Sequence, residues 1–192
     1  MWPRRISLYR HNRNLTMTKK EIITAAEDAF TQLSQTCAAM TEAYFFERPE
    51  SKWSVAENMQ HLILSTNTTT LAYKLPKFMV RLVGGKPNRP SRSYDEVLAK
   101  YMKKLEDGAK ASARYVPKPI AIKYGKEKLL NNWNKATEKF ITALDKNRTE
   151  EDLDNYLAKH PLLGPITLRE LCFFTIFHTR HHLDSINKRK AQ

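Results

Sequence analysis

The stretch of residues 168–186, LRELCFFTIFHTRHHLDSI, decides the fold, and it holds three of the chain's six histidines. Its apolar residues recur at the spacing of a helix with one buried face. Thr167-Leu-Arg-Glu170 begins it with a capping-box sequence, in which the Thr and Glu side chains bond to free backbone N–H groups. The stretch therefore predicts a core helix that carries a histidine cluster.

His178 and His182 lie four residues apart, so their rings lie one turn apart on the same helix face. Leu171 and Thr175 share that face, which predicts that the pair points into the core. Two imidazoles in this arrangement suit two corners of a metal site, and they equally suit two satisfied core histidines. His181 also has ligand spacing, but we rank it below His182 because it points about 60° to the other side of His178.

Three further capping boxes, each followed by apolar residues at helical spacing, predict where other helices begin: Thr18-Lys-Lys-Glu21, Ser54-Val-Ala-Glu57 and Ser93-Tyr-Asp-Glu96. The predicted helices run from Thr18 to near Phe46, from Ser54 to Phe78 or Val80 with a bend at Pro76, from Ser93 through Leu105, from Lys126 to Leu144, and briefly over 150–158. A loop is predicted over 160–165. These elements predict an all-α domain over residues 17–192, a four-helix bundle with additional short helical segments in its connections. Residues 1–16 show no periodicity and predict a flexible basic arm.

The composition agrees with a compact helical protein. The chain has 192 residues, 41% apolar content and only five glycines. No run of eighteen apolar residues exists, and the basic N-terminus lacks the apolar stretch of a secretory signal, so we expect a cytoplasmic protein without a membrane partner. Cys37 and Cys172 lie within apolar helical patterns and are expected to be buried free thiols.

The formal net charge of +13 has two interpretations. Six basic residues and no acidic one lie in 74–92, and six lie in 110–128 against one Glu. If these side chains line the histidine pocket, they favour an anionic small-molecule substrate. If they form a surface away from it, they favour nucleic-acid binding, because Lys and Arg release counterions from phosphate backbones.

A third ligand is available on the second predicted helix, where His61 shares a narrow polar stripe with Asn58, Ser65 and Thr68. A bundle can place the inward face of this helix against that of the last helix, so that His61 faces His178 and His182. Three imidazoles suit Zn²⁺, Ni²⁺ or a similar divalent ion. Taken alone, His61 is more often a satisfied core histidine. His160 precedes a proline in the predicted loop and is read as structural, and no function is assigned to His11 in the arm.

Three segments occur in an order and separation that resemble the DinB/YfiT-like family: WSVAENMQHL at 53–62, HPLLGPIT at 160–167 and HTRHHLDSI at 178–186. The resemblance covers roughly residues 20–188. It implies an up-down-down-up four-helix bundle, often dimeric, in small cytoplasmic bacterial proteins. It also implies a metal triad of one histidine from WSxxExxxH and two from HxxxH, which match His61, His178 and His182. The chain departs from the common ending HHxxQI, because Ser185 stands where that pattern has Gln.

The resemblance implies a metal-dependent enzyme. A hydrolase, in which the ion activates water, ranks ahead of a low-molecular-weight-thiol S-transferase, in which it activates a thiolate. Glu57 lies one turn before His61 and is placed to orient it, although its capping position assigns it first to the helix N-terminus. Two non-enzymatic alternatives remain open: a basic nucleic-acid-binding protein, and a dimeric stress-response protein with an empty site.

Overall fold

The structure, a computed structural model, describes residues 17–50 and 52–190, so the predicted arm at 1–16 lies outside the described residues. Its helices are α1 (Lys19–Ala38), α2 (Glu42–Phe46), α3 (Val55–Lys74), α4 (Lys77–Gly84), α5 (Tyr94–Glu106), α6 (Lys126–Asn147), α7 (Asp152–Asn155) and α8 (Leu168–Lys190). Two 3₁₀ turns, Ala113–Tyr115 and Ile122–Tyr124, lie between α5 and α6, and the strands β1 (Leu157–His160) and β2 (Gly164–Thr167) precede α8. The all-α prediction is confirmed, with one small hairpin added.

The four long helices α1, α3, α6 and α8 form the bundle, with α1 and α3 each packed between α6 and α8. Lys126 at the start of α6 donates to the carbonyl of Ala38 at the end of α1, so α1 and α6 are antiparallel. Tyr73 at the end of α3 donates to the carbonyl of Leu168 at the start of α8, so α3 and α8 are antiparallel as well. Arg169 in the first turn of α8 donates to the carbonyl of Met17 before α1, which makes these two helices parallel. The directions are therefore up, down, down and up.

Both of the first two predicted helices are shorter than expected, and each is followed by a separate short helix. The first ends at Ala38 and not near Phe46, because the Thr41 hydroxyl accepts from the N–H of Tyr44 and begins α2. The second ends at Lys74, because Leu75 takes the extended conformation that a following proline favours and Pro76 then begins α4. The bend predicted at Pro76 is thus a break between two helices.

The region before α8 contains the largest difference from the prediction. Only Asp152–Asn155 is helical within the helix predicted over 150–158, because the chain then pairs as β1 with β2. Of the loop predicted over 160–165, only 161–163 forms the tip of this hairpin, and the other residues belong to its strands. Gly164, which begins β2, has a φ of 73° that favours glycine. The backbone of β1 also packs tightly on α4, since a Cβ at Gly84 would lie 1.9 Å from the Leu157 carbonyl oxygen. The hairpin and α4 together therefore cover one end of the α3–α8 pair.

The first turn of α8 is held by buried charges. Glu170, with no exposed side-chain area, forms the predicted capping box with Thr167 and accepts from both Arg89 and Arg92. Arg169 pairs with Asp154 and Glu150. These contacts fix the helix that carries the histidines.

The structure also bears on the predicted state of the two cysteines and on membrane-spanning helices. Cys37 and Cys172 are buried and free, as predicted. Among the described residues, no helix is both long enough and apolar enough to cross a bilayer.

Candidate metal centre

Three imidazoles meet between α3 and α8. The Nε2 atom of His178 lies 3.0 Å from Nε2 of His61 and 3.1 Å from Nε2 of His182. The three rings are buried, and a potential ligand atom from each lies within 4.8 Å of the others. The structure thus brings together the three residues expected from the sequence, although two come from α8 and one from a helix more than a hundred residues earlier.

Hydrogen bonds to the outer ring nitrogens orient two of these imidazoles. His61 Nδ1 lies 2.7 Å from the carbonyl oxygen of Tyr115, which accepts only, so Nδ1 carries the proton and Nε2 a lone pair. His182 Nδ1 lies 2.6 Å from Asn58 Oδ1. The Asn58 amide is itself oriented, because its Nδ2 donates to the Ser54 carbonyl at 2.8 Å. His182 therefore also directs a lone pair toward the cluster.

His178 occupies the centre of the cluster and has a weaker outer contact, 3.5 Å from its Nδ1 to the Ser65 hydroxyl. If His178 Nε2 carries a proton, it donates to Nε2 of either His61 or His182, and the other Nε2 atom has no donor. A proton on Nδ1 leaves all three Nε2 atoms as acceptors facing one another. In either tautomer the protein supplies fewer protons than this buried cluster needs.

Burial keeps these rings neutral. It lowers the pKa of His61, and it lowers the pKa values of His178 and His182 well below the ordinary value for histidine, with repulsion from the neighbouring rings adding to the effect. At neutral pH the three lone pairs are therefore available for a ligand.

The donor set fits a divalent cation. Bonds of about 2.0–2.1 Å at tetrahedral or octahedral angles place ligand nitrogens roughly 3 Å apart. The separations of 3.0 and 3.1 Å agree with that value. Neutral imidazoles suit Zn²⁺ and Ni²⁺, and hydrogen bonds from the outer nitrogens to a carbonyl and an amide are the usual support for such ligands.

The cluster forms one end of an elongated cavity of about 420 Å³. The cavity follows α3 from His61 to Leu75, which corresponds to roughly 20 Å of helix. Residues of α5, of the 111–115 segment, of α4 and of the hairpin complete its walls. A small molecule bound in this cavity would therefore reach the histidines with one end.

The basic residues of 74–92 and 110–128 do not line this cavity. Its walls include Leu75, Val80 and Val83 from the first stretch, and Ala111, Ser112 and Tyr115 from the second. This placement argues against an anionic small substrate held by those charges.

The other candidate residues lie outside the cluster. His181 is partly exposed, with its ring 5.5 Å from that of His182 and no nitrogen among the converging atoms. His160 is structural as predicted, because its Nδ1 accepts from the N–H groups of Leu162 and Leu163. Glu57 forms the capping box with Ser54, and Ser185 donates to the His181 carbonyl. His11 lies outside the described residues.

Four residues at the cluster were not predicted to contact it: Asn58, Ser65, Tyr101 and Tyr115. Asn58 and Ser65 stand three residues before and four after His61, so the helical period offered a signal for both. Tyr101 of α5 lines the cavity with its ring 6.3 Å from that of His178. Tyr115 acts through its backbone carbonyl from an irregular segment, so no side-chain pattern identified it.

The protein is thus an up-down-down-up four-helix bundle with a candidate metal centre of three histidines in its core. The model of the DinB superfamily matches residues 23–186, and the chain belongs to this superfamily. No curated protein matches the chain. A solved structure of "colibactin self-resistance protein ClbS in complex with a dsDNA" is similar in fold, with a TM-score of 0.54, 17% sequence identity, and coverage of 93% of this chain and 99% of that chain.

Proposed function

We propose that this protein is a metal-dependent hydrolase in which His61, His178 and His182 hold a divalent cation, Zn²⁺ or Ni²⁺. The observation that carries the proposal is the convergence of three buried lone pairs, with separations of 3.0 and 3.1 Å, at the end of a cavity. A bound cation of this kind lowers the pKa of water or of a thiol and polarises a carbonyl group.

The chain's own residues position the imidazoles and supply a proton donor. Tyr115 and Asn58 hold the His61 and His182 rings in place. The Tyr101 ring lies 6.3 Å from that of His178, and burial raises the pKa of Tyr101 to about 12, so its hydroxyl stays protonated at neutral pH and can serve as a proton donor to a bound molecule. The Trp53 ring lies parallel to that of His182, with ring centroids 6.4 Å apart, and lines the cavity beside the cluster.

The first test is elemental analysis of the purified protein, of His178→Ala and of His181→Ala. We expect about one equivalent of Zn or Ni in the parent and in His181→Ala, and none in His178→Ala. His181→Ala is the matched control, because it removes a neighbouring imidazole of the same helix that lies outside the cluster. Absence of metal from the parent after loading with Zn²⁺ and Ni²⁺ would overturn the proposal.

Turnover distinguishes the two enzymatic alternatives. Hydrolysis of ester or amide substrates by the metal-loaded parent without an added thiol supports the hydrolase. Product formation that requires a low-molecular-weight thiol, and that joins its sulfur to the substrate, supports the S-transferase in its place. In both cases His178→Ala is expected to lose the activity.

Nucleic-acid binding is the second candidate function, because the basic stretches lie away from the histidine cavity. A separate surface groove is lined by Lys118, Lys123 and Lys128 beside the partly exposed ring of Tyr124. Lysines pair with phosphates, and an exposed aromatic ring stacks on bases. The relative with a similar fold was solved with a dsDNA.

A salt titration of duplex binding tests this candidate. If the groove binds DNA, Lys118→Ala, Lys123→Ala and Lys128→Ala each reduce the slope of log affinity against log salt by about one. Lys135→Ala and Lys139→Ala on α6 are matched controls, because both residues are exposed and lie outside the groove. Equal effects in both sets would show nonspecific attraction by net charge.

Cytoplasmic location, a homodimer and a stress-response context remain predictions from the family resemblance. Sedimentation of the purified protein over a concentration series tests the dimer.

A further inference from the structure

We propose that the cavity binds a neutral, elongated, mostly apolar molecule with a carbonyl group at its histidine end, such as an ester or amide of an apolar acid. This inference rests on the proposed function for the reaction, whereas the binding preference stands on the cavity alone.

The walls of the cavity exclude a charged body. Among the described residues that line the cavity, Lys159 alone carries a charged side chain apart from the histidines, and it is exposed. The part of the chain that the structure describes places no Asp, Glu or Arg in its lining. Because a charge buried without a partner is costly, an occupant with ionised groups along its length would bind weakly.

The apolar lining extends away from the cluster. Between His61 and Leu75 the wall is formed mainly by aliphatic and aromatic side chains from five elements: Leu71, Ala72, Val80, Val83, Leu105, Leu157, Leu162, Leu171 and Phe174. The walls therefore match a chain or ring system that lies along α3.

One polar atom in the wall lacks a partner. The Ser112 hydroxyl is buried and makes no hydrogen bond within the part of the chain that the structure describes. Ser112 begins the 3₁₀ turn whose Tyr115 carbonyl orients His61, so it lies about one turn from the cluster. A buried hydroxyl without a partner is destabilising, and a carbonyl oxygen of the occupant would satisfy it.

Tyr101 supplies a second donor near the same end. Tyr101 is 7% exposed, its ring lies 6.3 Å from that of His178, and its hydroxyl forms no hydrogen bond to the described residues. Two donors without acceptors near the histidines, followed by an apolar tunnel, define a polar head and an apolar tail.

The reaction that follows for such a molecule is hydrolysis. The oxygen of water bonds to the carbonyl carbon, the bond from that carbon to the alcohol oxygen or amine nitrogen breaks, and a proton from water goes to the leaving group. The acid and the alcohol or amine are the products.

The first experiment measures binding of the neutral fluorescent probe N-phenyl-1-naphthylamine to metal-free protein. We expect saturable binding by the parent and at least about a tenfold loss in Ala72→Phe, which fills the cavity from α3. Asn67→Phe, which adds the same ring to an exposed position of α3, is the matched control and is expected to bind normally. Ala158→Phe fills the cavity from β1 and replaces Ala72→Phe if that variant does not fold.

Failure of binding by the parent, or equal binding by Ala72→Phe, Ala158→Phe and Asn67→Phe, would overturn the inference. Normal probe binding by a parent that takes up no metal would overturn the hydrolase proposal and leave the apolar cavity standing.

The second experiment uses alkyl hydroxamates, which bind metal through the head group, on metal-loaded protein. We expect affinity to rise about fourfold for each added methylene from acetohydroxamate to decanohydroxamate, until the cavity is filled. A carboxylate at the far end of the decyl chain is expected to remove most of the gain, and Ser112→Ala to weaken every hydroxamate but not the naphthylamine. Equal affinity for the short, long and carboxylate-ended probes would contradict the proposed chemistry of the tail.

Discussion

Two buried polar regions lie on α8, one in its first turn and one about two turns further along, and they differ in how completely the protein satisfies them. Glu170 accepts from Arg89 Nη2 at 2.8 Å, from the Arg92 N–H at 2.6 Å and from the Thr167 N–H at 3.2 Å. At His178 three nitrogens converge without enough protons to pair them. The same helix thus carries a polar group that the fold satisfies completely and a cluster whose hydrogen-bonding capacity the described residues leave incomplete.

Substitution of Glu170, whose carboxylate is fully hydrogen-bonded, is expected to have the largest effect on the free energy of unfolding. Glu170→Gln removes the charge that Arg89 and Arg92 share, and it replaces one acceptor oxygen by a donor. We expect a loss of about 3 kcal/mol in the free energy of unfolding. This is the low end for a buried pair, because the two arginine side chains are 29% and 27% exposed. Urea denaturation measures it.

Glu96→Gln is the control for that substitution. Glu96 forms the equivalent capping box with Ser93 on α5, but it is exposed. A much smaller loss is expected, because exposed charge pairs contribute little. If both variants lose the same stability, capping alone accounts for Glu170 and the buried charge network contributes nothing.

We expect metal binding at the histidine cluster to raise the free energy of unfolding of the protein. Removal of the metal should only abolish this gain. Zn²⁺ at a free concentration of about 100 times its dissociation constant should raise the free energy of unfolding of the parent by about 2.7 kcal/mol. The same addition should leave His178→Ala unchanged, because two imidazoles remain. Thermal unfolding with zinc and with a chelator measures the difference, and stabilisation of both proteins to the same extent would show binding elsewhere.

Much of the fold followed from local sequence signals. All four predicted capping boxes form, and the helix pattern around His178 leads directly to α8. The helix end at Ala38 and the hairpin before α8 did not follow, because Thr41 competes locally with helix continuation and β1 is stabilised by packing on α4. The hairpin depends on tertiary contacts that helical periodicity does not contain, whereas the cap at Thr41 is a local signal that the apolar period alone did not reveal.

The candidate site was accessible from sequence only in part. The spacing of His178 and His182 places them on one face, but from residues alone His61 was a weak candidate, and the family motif singled it out. Tyr115 and Ser112 could not be identified, because they belong to an irregular segment whose course is set by the bundle. The contacts that orient His61 therefore required the structure.

Substitution of Asn58 is expected to have an intermediate effect, on metal affinity. Asn58 is held by the Ser54 carbonyl and in turn holds His182. Asn58→Ala should weaken metal binding about 10- to 100-fold, since loss of such an outer partner typically has this effect. Competition with a chromogenic chelator measures the affinity. Asn67→Ala, an exposed residue of the same helix, should bind as the parent does, and equal weakening in both would exclude an orienting function for Asn58.

The smallest expected effect concerns His160, a half-buried histidine whose ring nitrogen the protein does satisfy. Burial lowers its pKa to about 4, and its Nδ1 accepts from two backbone N–H groups of the hairpin tip. In the unfolded chain its pKa is about 6.5, so the unfolded state binds the proton more tightly. The stability contributed by neutral His160 is therefore complete above about pH 6.5, and it decreases as the pH falls toward about 4.

His160→Asn separates this titration from the others. Asparagine offers an oxygen acceptor to Leu162 and Leu163 but does not titrate. The neighbouring Tyr101 stays neutral over this range, and His61, His178 and His182 titrate in both proteins. A charged His160 also lowers the pKa of His178, so the difference between the two proteins contains this repulsion together with the titration of His160 itself. Between pH 7 and pH 5 the parent should lose about 1–2 kcal/mol more unfolding free energy than the variant. Identical losses would show that His160 is not held neutral by the fold, and the acid sensitivity would then belong to the unsatisfied cluster alone.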